Sequence, residues 1–247
     1  MKKTIYLLLI GFAFLACKEK KAQEPVAENS EITTSETENT QEWEILFDGT
    51  SLDHWRGYQK DSMPAGWRIE NEAMAFVPGE SHGNDILTKK TYTNFILSLE
   101  WKIAEGGNSG IFWGVQEDEA YPYIFQTGPE IQVLDDAKHP DSFVGEGTHK
   151  AGSLYDMIAP SDLSVVKPAG EWNLCVIEIN HETNQGTVTL NGTKIVTFPV
   201  HGKEWDTMVA NSKFKDWEGF GVSQTGHIGL QDHGDKVWFR NIKIKEL

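Results

Sequence analysis

From Trp43 to the C-terminus the chain is a succession of short runs rich in Val, Ile, Phe, Trp and Thr. Clusters of Gly, Asn, Asp and Pro separate them. Such punctuation is that of β-strands and turns, and no long segment with a 3.6-residue period competes with it. The runs place strands at 44–47, 67–70, 73–76, 95–103, 109–115, 130–134, 172–180, 186–190, 193–198, 227–231 and 237–245. Asn191-Gly192, between Thr187–Leu190 and Thr193–Val196, supplies the two positive-φ positions of a type I′ hairpin turn. So many strands without a repeat predict a single all-β domain over 43–247, two sheets packed as a jelly-roll sandwich. Long loops at 79–85, 117–128, 136–147, 158–170 and 203–219 are of the kind that shape a site on such a scaffold.

The first 42 residues read differently. Lys2 and Lys3 precede an apolar stretch that ends in Phe14-Leu15-Ala16-Cys17. The stretch is too short to span a bilayer comfortably, so residues 1–16 are expected to be a leader. Ala16-Cys17 makes a loose lipobox, with Cys17 as the lipidated first residue of the mature chain. Residues 18–42 hold seven Glu and three Lys, with Val26 and Ile32 as the only sizeable aliphatics. That composition cannot bury enough surface to offset chain entropy, so 17–42 is expected to be a disordered tether. The expected location is outside the cytoplasm, lipid-anchored in the periplasm or at the outer membrane of a Gram-negative bacterium. Cys175 is then left without an intrachain partner. It lies in an apolar run and is expected to be a buried thiol.

The formal charge is −15 and no basic stripe is visible, which excludes nucleic acid as a partner. The chemistry-bearing residues gather instead in 106–156. Glu130 and Gln132 share one face of a strand, with Ile131 and Val133 on the other. Asp135 joins that face only at the strand end or through a bulge. This run resembles the Glu-x-Asp-x-x-Glu strand of jelly-roll retaining glucanases, with Gln132 standing where an aspartate would be. Asn108 lies in a glycine-rich stretch that reads either as a tight turn or as a hydroxyl ligand at a sheet mouth. Trp101 and Trp113 read as core or as sugar platform. His149 can act as a general base near neutral pH and Lys150 can hold an oxyanion; Tyr155 follows in the same segment. Gln231, His233 and Asp235 form a second polar cluster. It offers ligands for a divalent cation, though without the spacing of a known metal loop. Arg240 falls by strand alternation on the side of Ile242 and Ile244, where it needs a carboxylate partner.

The segments 43–57, 94–114, 128–141, 151–160, 168–173, 190–192 and 226–247 together resemble the family long called domain of unknown function 1080. It is described as a 3-keto-disaccharide hydrolase, or 3-keto-glucoside-1,2-lyase/3-keto-2-hydroxy-glucal hydratase, domain. The resemblance implies a concanavalin A-like jelly roll, a bacterial exported setting and a 3-keto-glycoside substrate. It implies removal of a proton from C2, elimination of the group at C1 and addition of water. For that chemistry Glu130 and His149 are the candidate base and acid. Lys150, Arg240 or a cation would polarise the ketone. Asn108, Gln132, Gln231, Asp135, Tyr155 and His233 would hold hydroxyls, and Trp113 or Tyr123 the ring face. Two other readings stay open: a non-catalytic carbohydrate-binding module, and a retaining glycosidase with two carboxylates across the site. Oligomeric state is not legible.

Overall fold

The computed structural model describes residues 42–79 and 84–247. The expected leader, Cys17 and nearly all of the tether lie outside the described residues, as does most of the loop at 79–85. Among the described residues thirteen strands alternate with turns: β1 (Glu44–Phe47), β2 (Trp55–Gly57), β3 (Trp67–Glu70), β4 (Ala73–Phe76), β5 (Ile86–Tyr92), β6 (Phe95–Ile103), β7 (Asn108–Val115), β8 (Glu130–Leu134), β9 (Asn173–Asn180), β10 (Gln185–Leu190), β11 (Thr193–Phe198), β12 (Gly226–Leu230) and β13 (Val237–Glu246). Among the described residues there is one α-helix, α1 (Gly202–Ala210), which interrupts the last long loop.

The strands make two antiparallel sheets. The larger runs β11-β10-β9-β6-β13-β4-β3, with β1 also paired to β13; the smaller runs β2-β5-β12-β7-β8. They pack face to face as an all-β jelly-roll sandwich. On β6, Phe95, Leu97, Leu99, Trp101 and Ile103 alternate inward and are each at most 1 % exposed. Their partners across the ladder, Ile177 opposite Leu97 and Cys175 opposite Leu99, point the same way. Trp101 is therefore core. The hairpin turn is as the sequence predicts, with φ of +50° at Asn191 and +89° at Gly192.

Two strands and the helix escape a reading by composition. In β5 the exposed Lys89 and Lys90 break the apolar run, and β2 has only three residues. Strand β7 begins at Asn108, which places that residue in the ladder opposite Leu134 and not in the preceding turn. The sheet position of Arg240 is a correction. Asn241 takes φ +51° and the register of β13 shifts between Arg240 and Lys243. This bulge reverses the alternation, so Val237 and Phe239 face the core before it and Ile242 and Ile244 after it. Arg240 is left on the outer face of the larger sheet. There its Nη2 donates to Glu100 Oε2 at 2.7 Å, and its guanidinium lies over the Trp172 ring.

Cys175 is a buried free thiol, 1 % exposed, and burial pushes it up to about 12. It is an inert packing residue. Cys175→Ser places a hydroxyl among apolar neighbours and is expected to cost about 1–3 kcal/mol. The denaturant midpoint should fall with an unchanged m-value; an unmoved midpoint would show that the side chain is not sealed.

Candidate functional site

Strands β7 and β8 are buried at every position. One face meets the larger sheet, where Ile111, Ile131 and Val133 join the core. The other face is the floor of a pocket. Glu130 and Gln132 rise from β8, Asn108 from β7 and Gln231 from the end of β12, with His233 from the turn that follows. Phe125, Tyr155, Lys213, Phe214 and Trp217, carried by loops, form its walls. The cavity holds about 160 Å³. That is smaller than the roughly 300–1,000 Å³ of a drug-sized cleft.

The floor is built for a polar guest. Asn108 Oδ1 and Gln231 Oε1 are buried and meet no hydrogen-bond donor of the protein. Buried polar atoms are nearly always satisfied, so two orphaned acceptors in one pocket call for hydroxyl or water donors from a ligand. Glu130 lines the same pocket from β8, the edge strand beside β7. Its carboxyl rests against Gly110, where a Cβ would overlap it, so the strand glycine makes the room. Burial pushes Glu130 up to about 8; the Lys213 charge pulls it down, while Asp85 and Asp141 push it further up. Such a carboxyl exchanges a proton near neutral pH.

His149 stands one layer back. Its ring nitrogens lie 2.9 Å from Asp141 Oδ1 and 2.8 Å from Asp156 Oδ1. Both nitrogens face acceptors, so both bonds form together only if the ring carries two protons or one carboxyl carries one. Asp141 Oδ2 accepts from the Tyr155 hydroxyl at 2.9 Å, and Asp156 Oδ2 accepts from the Lys213 amide at 2.7 Å. Burial raises Asp141, but the bonds from His149 and Tyr155 hold it below the usual carboxylate range. Burial and the Asp141 carboxylate drive the Tyr155 phenol well above its ordinary value. The ring-and-carboxylate network therefore positions Tyr155 and the Lys213 loop, and His149 itself does not line the cavity.

The pocket thus brings together Asn108, Glu130, Gln132, Tyr155, Gln231 and His233. Other expected residues lie elsewhere. Lys150 lines a separate depression with Asp135 and Asp136, and its Nζ sits 6.0 Å from the Phe143 ring. Trp113 is only 5 % exposed and packs on Phe198 in the core, because alternation along β7 sends it inward. Tyr123 is exposed and stacks on the far side of Phe125, one ring removed from the cavity. Asp135 is a turn residue whose carboxyl accepts the Gly106 and Ala137 amides. Arg240, on the other sheet's outer face, is remote. The cation at the pocket is Lys213, which the sequence reading missed along with Phe125, Phe214 and Trp217. For Lys213, Phe214 and Trp217 the one signal was a lysine among aromatics in the long loop at 203–219, whereas Phe125 comes from the loop at 117–128.

A family pattern described as the 3-keto-alpha-glucoside-1,2-lyase-like domain matches residues 42–245. The chain is 38 % identical over 229 residues to a 3-keto-disaccharide hydrolase of Bacteroides thetaiotaomicron, covering 82 % of this chain and 77 % of that protein. Among solved structures, a putative glycosyl hydrolase from Parabacteroides distasonis ATCC 8503 superposes with a TM-score of 0.75 at 34 % identity, over 83 % of this chain and 94 % of that one. A second from the same organism gives 0.63 at 28 % identity, over 83 % and 100 %.

Proposed function

The chain belongs to the 3-keto-alpha-glucoside-1,2-lyase-like family, and from that premise we propose that it cleaves 3-keto-glycosides by elimination followed by hydration. Family membership makes it a carbohydrate-active enzyme of the 3-keto-disaccharide hydrolase type. A ketone at C3 acidifies the C2 proton. Ionised Glu130 takes that proton, and the electron pair moves into an enolate on the C3 oxygen. The enolate then reforms the ketone, a C1–C2 double bond appears and the bond from C1 to the aglycone oxygen breaks. The leaving oxygen takes up a proton. Water adds back, hydroxyl at C1 and proton at C2, so the net change is hydrolysis. Lys213 supplies positive charge for an oxygen that gains negative charge. Asn108 and Gln231 accept from sugar hydroxyls, and Phe125 and Trp217 offer faces to the ring.

The observation that carries this reading is Glu130, a lone carboxyl poised near neutrality beside two orphaned acceptors. Among the described residues lining the pocket it is the one carboxyl group. A retaining glycosidase needs two, about 5–5.5 Å apart, and Gln132 occupies the neighbouring place. A binding module needs hydroxyl ligands but no proton carrier. The test is turnover in heavy water. The 3-keto-glycoside should be consumed with deuterium incorporated at C2, and the unoxidised parent glycoside should be left intact. Efficient cleavage of the parent without deuterium at C2 would overturn the elimination and restore a two-carboxylate mechanism.

A further inference from the structure

The turn after β12 brings His233 and Asp235 close to His139, which comes from the loop after β8. One ligand atom from each lies within 4.8 Å of the other two. The sequence offers the first pair as a cluster but gives no sign of His139, nearly a hundred positions earlier. The three stand at the pocket's edge. His233 lines the cavity, and Asp235 Oδ2 accepts the backbone amide of Asn108 at 3.1 Å, the residue whose side-chain oxygen is orphaned.

We propose that His139, His233 and Asp235 bind one divalent transition-metal ion whose remaining coordination positions open toward the pocket. Two imidazoles and one carboxylate suit Mn²⁺, Co²⁺ or Zn²⁺ better than Mg²⁺ or Ca²⁺, which prefer oxygen donors throughout. Bonds of about 2.0–2.2 Å to one ion bring ligand atoms to within about 3–3.5 Å of each other, so the cluster closes slightly on binding. Movement is available. His233 sits on an exposed turn with Gly234 at φ +89°. The hydrogen bond from the Asp141 amide to His139 Nδ1 is a long 3.2 Å, the easiest interaction in the cluster to surrender. Three protein ligands leave room for substrate oxygens, as in catalytic rather than structural sites. The ion's role in turnover rests on the reading above. As a Lewis acid it holds the C3 oxygen while C2 loses its proton to Glu130, which leaves Lys213 for the departing oxygen.

The test begins with full-length protein stripped by chelator and titrated with Mn²⁺ or Co²⁺ alone. One ion per chain is expected by calorimetry, with a Co²⁺ visible spectrum that reports nitrogen ligation. His233→Ala and Asp235→Asn should each weaken binding by at least about 10–100-fold, the loss usual even for groups that only support a ligand. The variants' melting curves without metal should match the wild type's. Binding by the wild type no tighter than by the His139→Ala/His233→Ala double variant would overturn the site. The two proposals fail separately. Full C2 deuteration by metal-stripped protein would remove the ion from the mechanism and keep the elimination. Stoichiometric binding without turnover of any 3-keto-glycoside would keep the site and remove the elimination.

Discussion

Glu130→Gln is expected to lower kcat/KM on a 3-keto-glycoside by at least about 10²-fold, the usual worth of a positioned base, while the protein becomes harder to unfold. The two effects have one cause. Burial raises Glu130 in the folded state to about 8, from the ordinary 4.5. The folded chain therefore holds a proton that the unfolded chain gives up. Stability from this group is fully present below about 4.5, declines as pH rises and is gone above about 8, a difference on the order of a few kcal/mol. Glutamine mimics the protonated form at every pH. The variant's advantage in melting temperature should therefore grow from pH 5 to pH 8 and then level off. Wild-type kcat/KM should rise with pH toward a plateau above about 8, because the ionised carboxyl is the base. Near-wild-type turnover by the variant would take Glu130 out of the mechanism. A lower melting temperature at pH 8 would show that the carboxyl is not held in a desolvating site.

Lys213→Met is expected to cost about 10²–10³-fold in kcat/KM, the scale of losing one preorganised donor to a developing oxyanion. Methionine keeps an apolar stem of similar reach, so the wall formed with Tyr155 and Phe214 should stay in place. In the wild type the Lys213 Nζ lies 4.0 Å from the centre of the Tyr155 ring. Its charge also pulls Glu130 down. Removing it should move the rise of kcat/KM to higher pH, a change that simple loss of packing does not produce. An unshifted pH profile with unaltered turnover would place the lysine outside the reaction.

Much of the floor of this site is legible in the sequence because strand geometry is local. Successive side chains alternate, so Glu130 and Gln132 must share a face wherever β8 lies. The walls are not legible by any such rule. Lys213 and Trp217 sit on a loop that follows a short helix, and only packing of that loop over β7 and β8 brings them to Glu130. His149 is a related case. Its neighbourhood was evident, but two carboxylates, Asp141 and Asp156, occupy its nitrogens and turn it from a proton carrier into a support for Tyr155. Arg240 shows how local reasoning fails within a strand, since one residue at Asn241 with positive φ reverses every side chain beyond it.

The sequence by itself determined that the chain from Trp43 onward is β-structure, that Asn191-Gly192 turns a hairpin, that Cys175 is buried, and that Glu130 and Gln132 face one way. Each of these follows from backbone preferences and alternation over a few neighbouring residues. Only the tertiary structure decided that Trp113 enters the core and Tyr123 stays exposed. It alone set Lys213 rather than Lys150 at the pocket, and His139 beside His233 and Asp235. These facts depend on which loops close over which sheet face, and that is settled by packing between segments far apart in the chain, to which local propensity is blind.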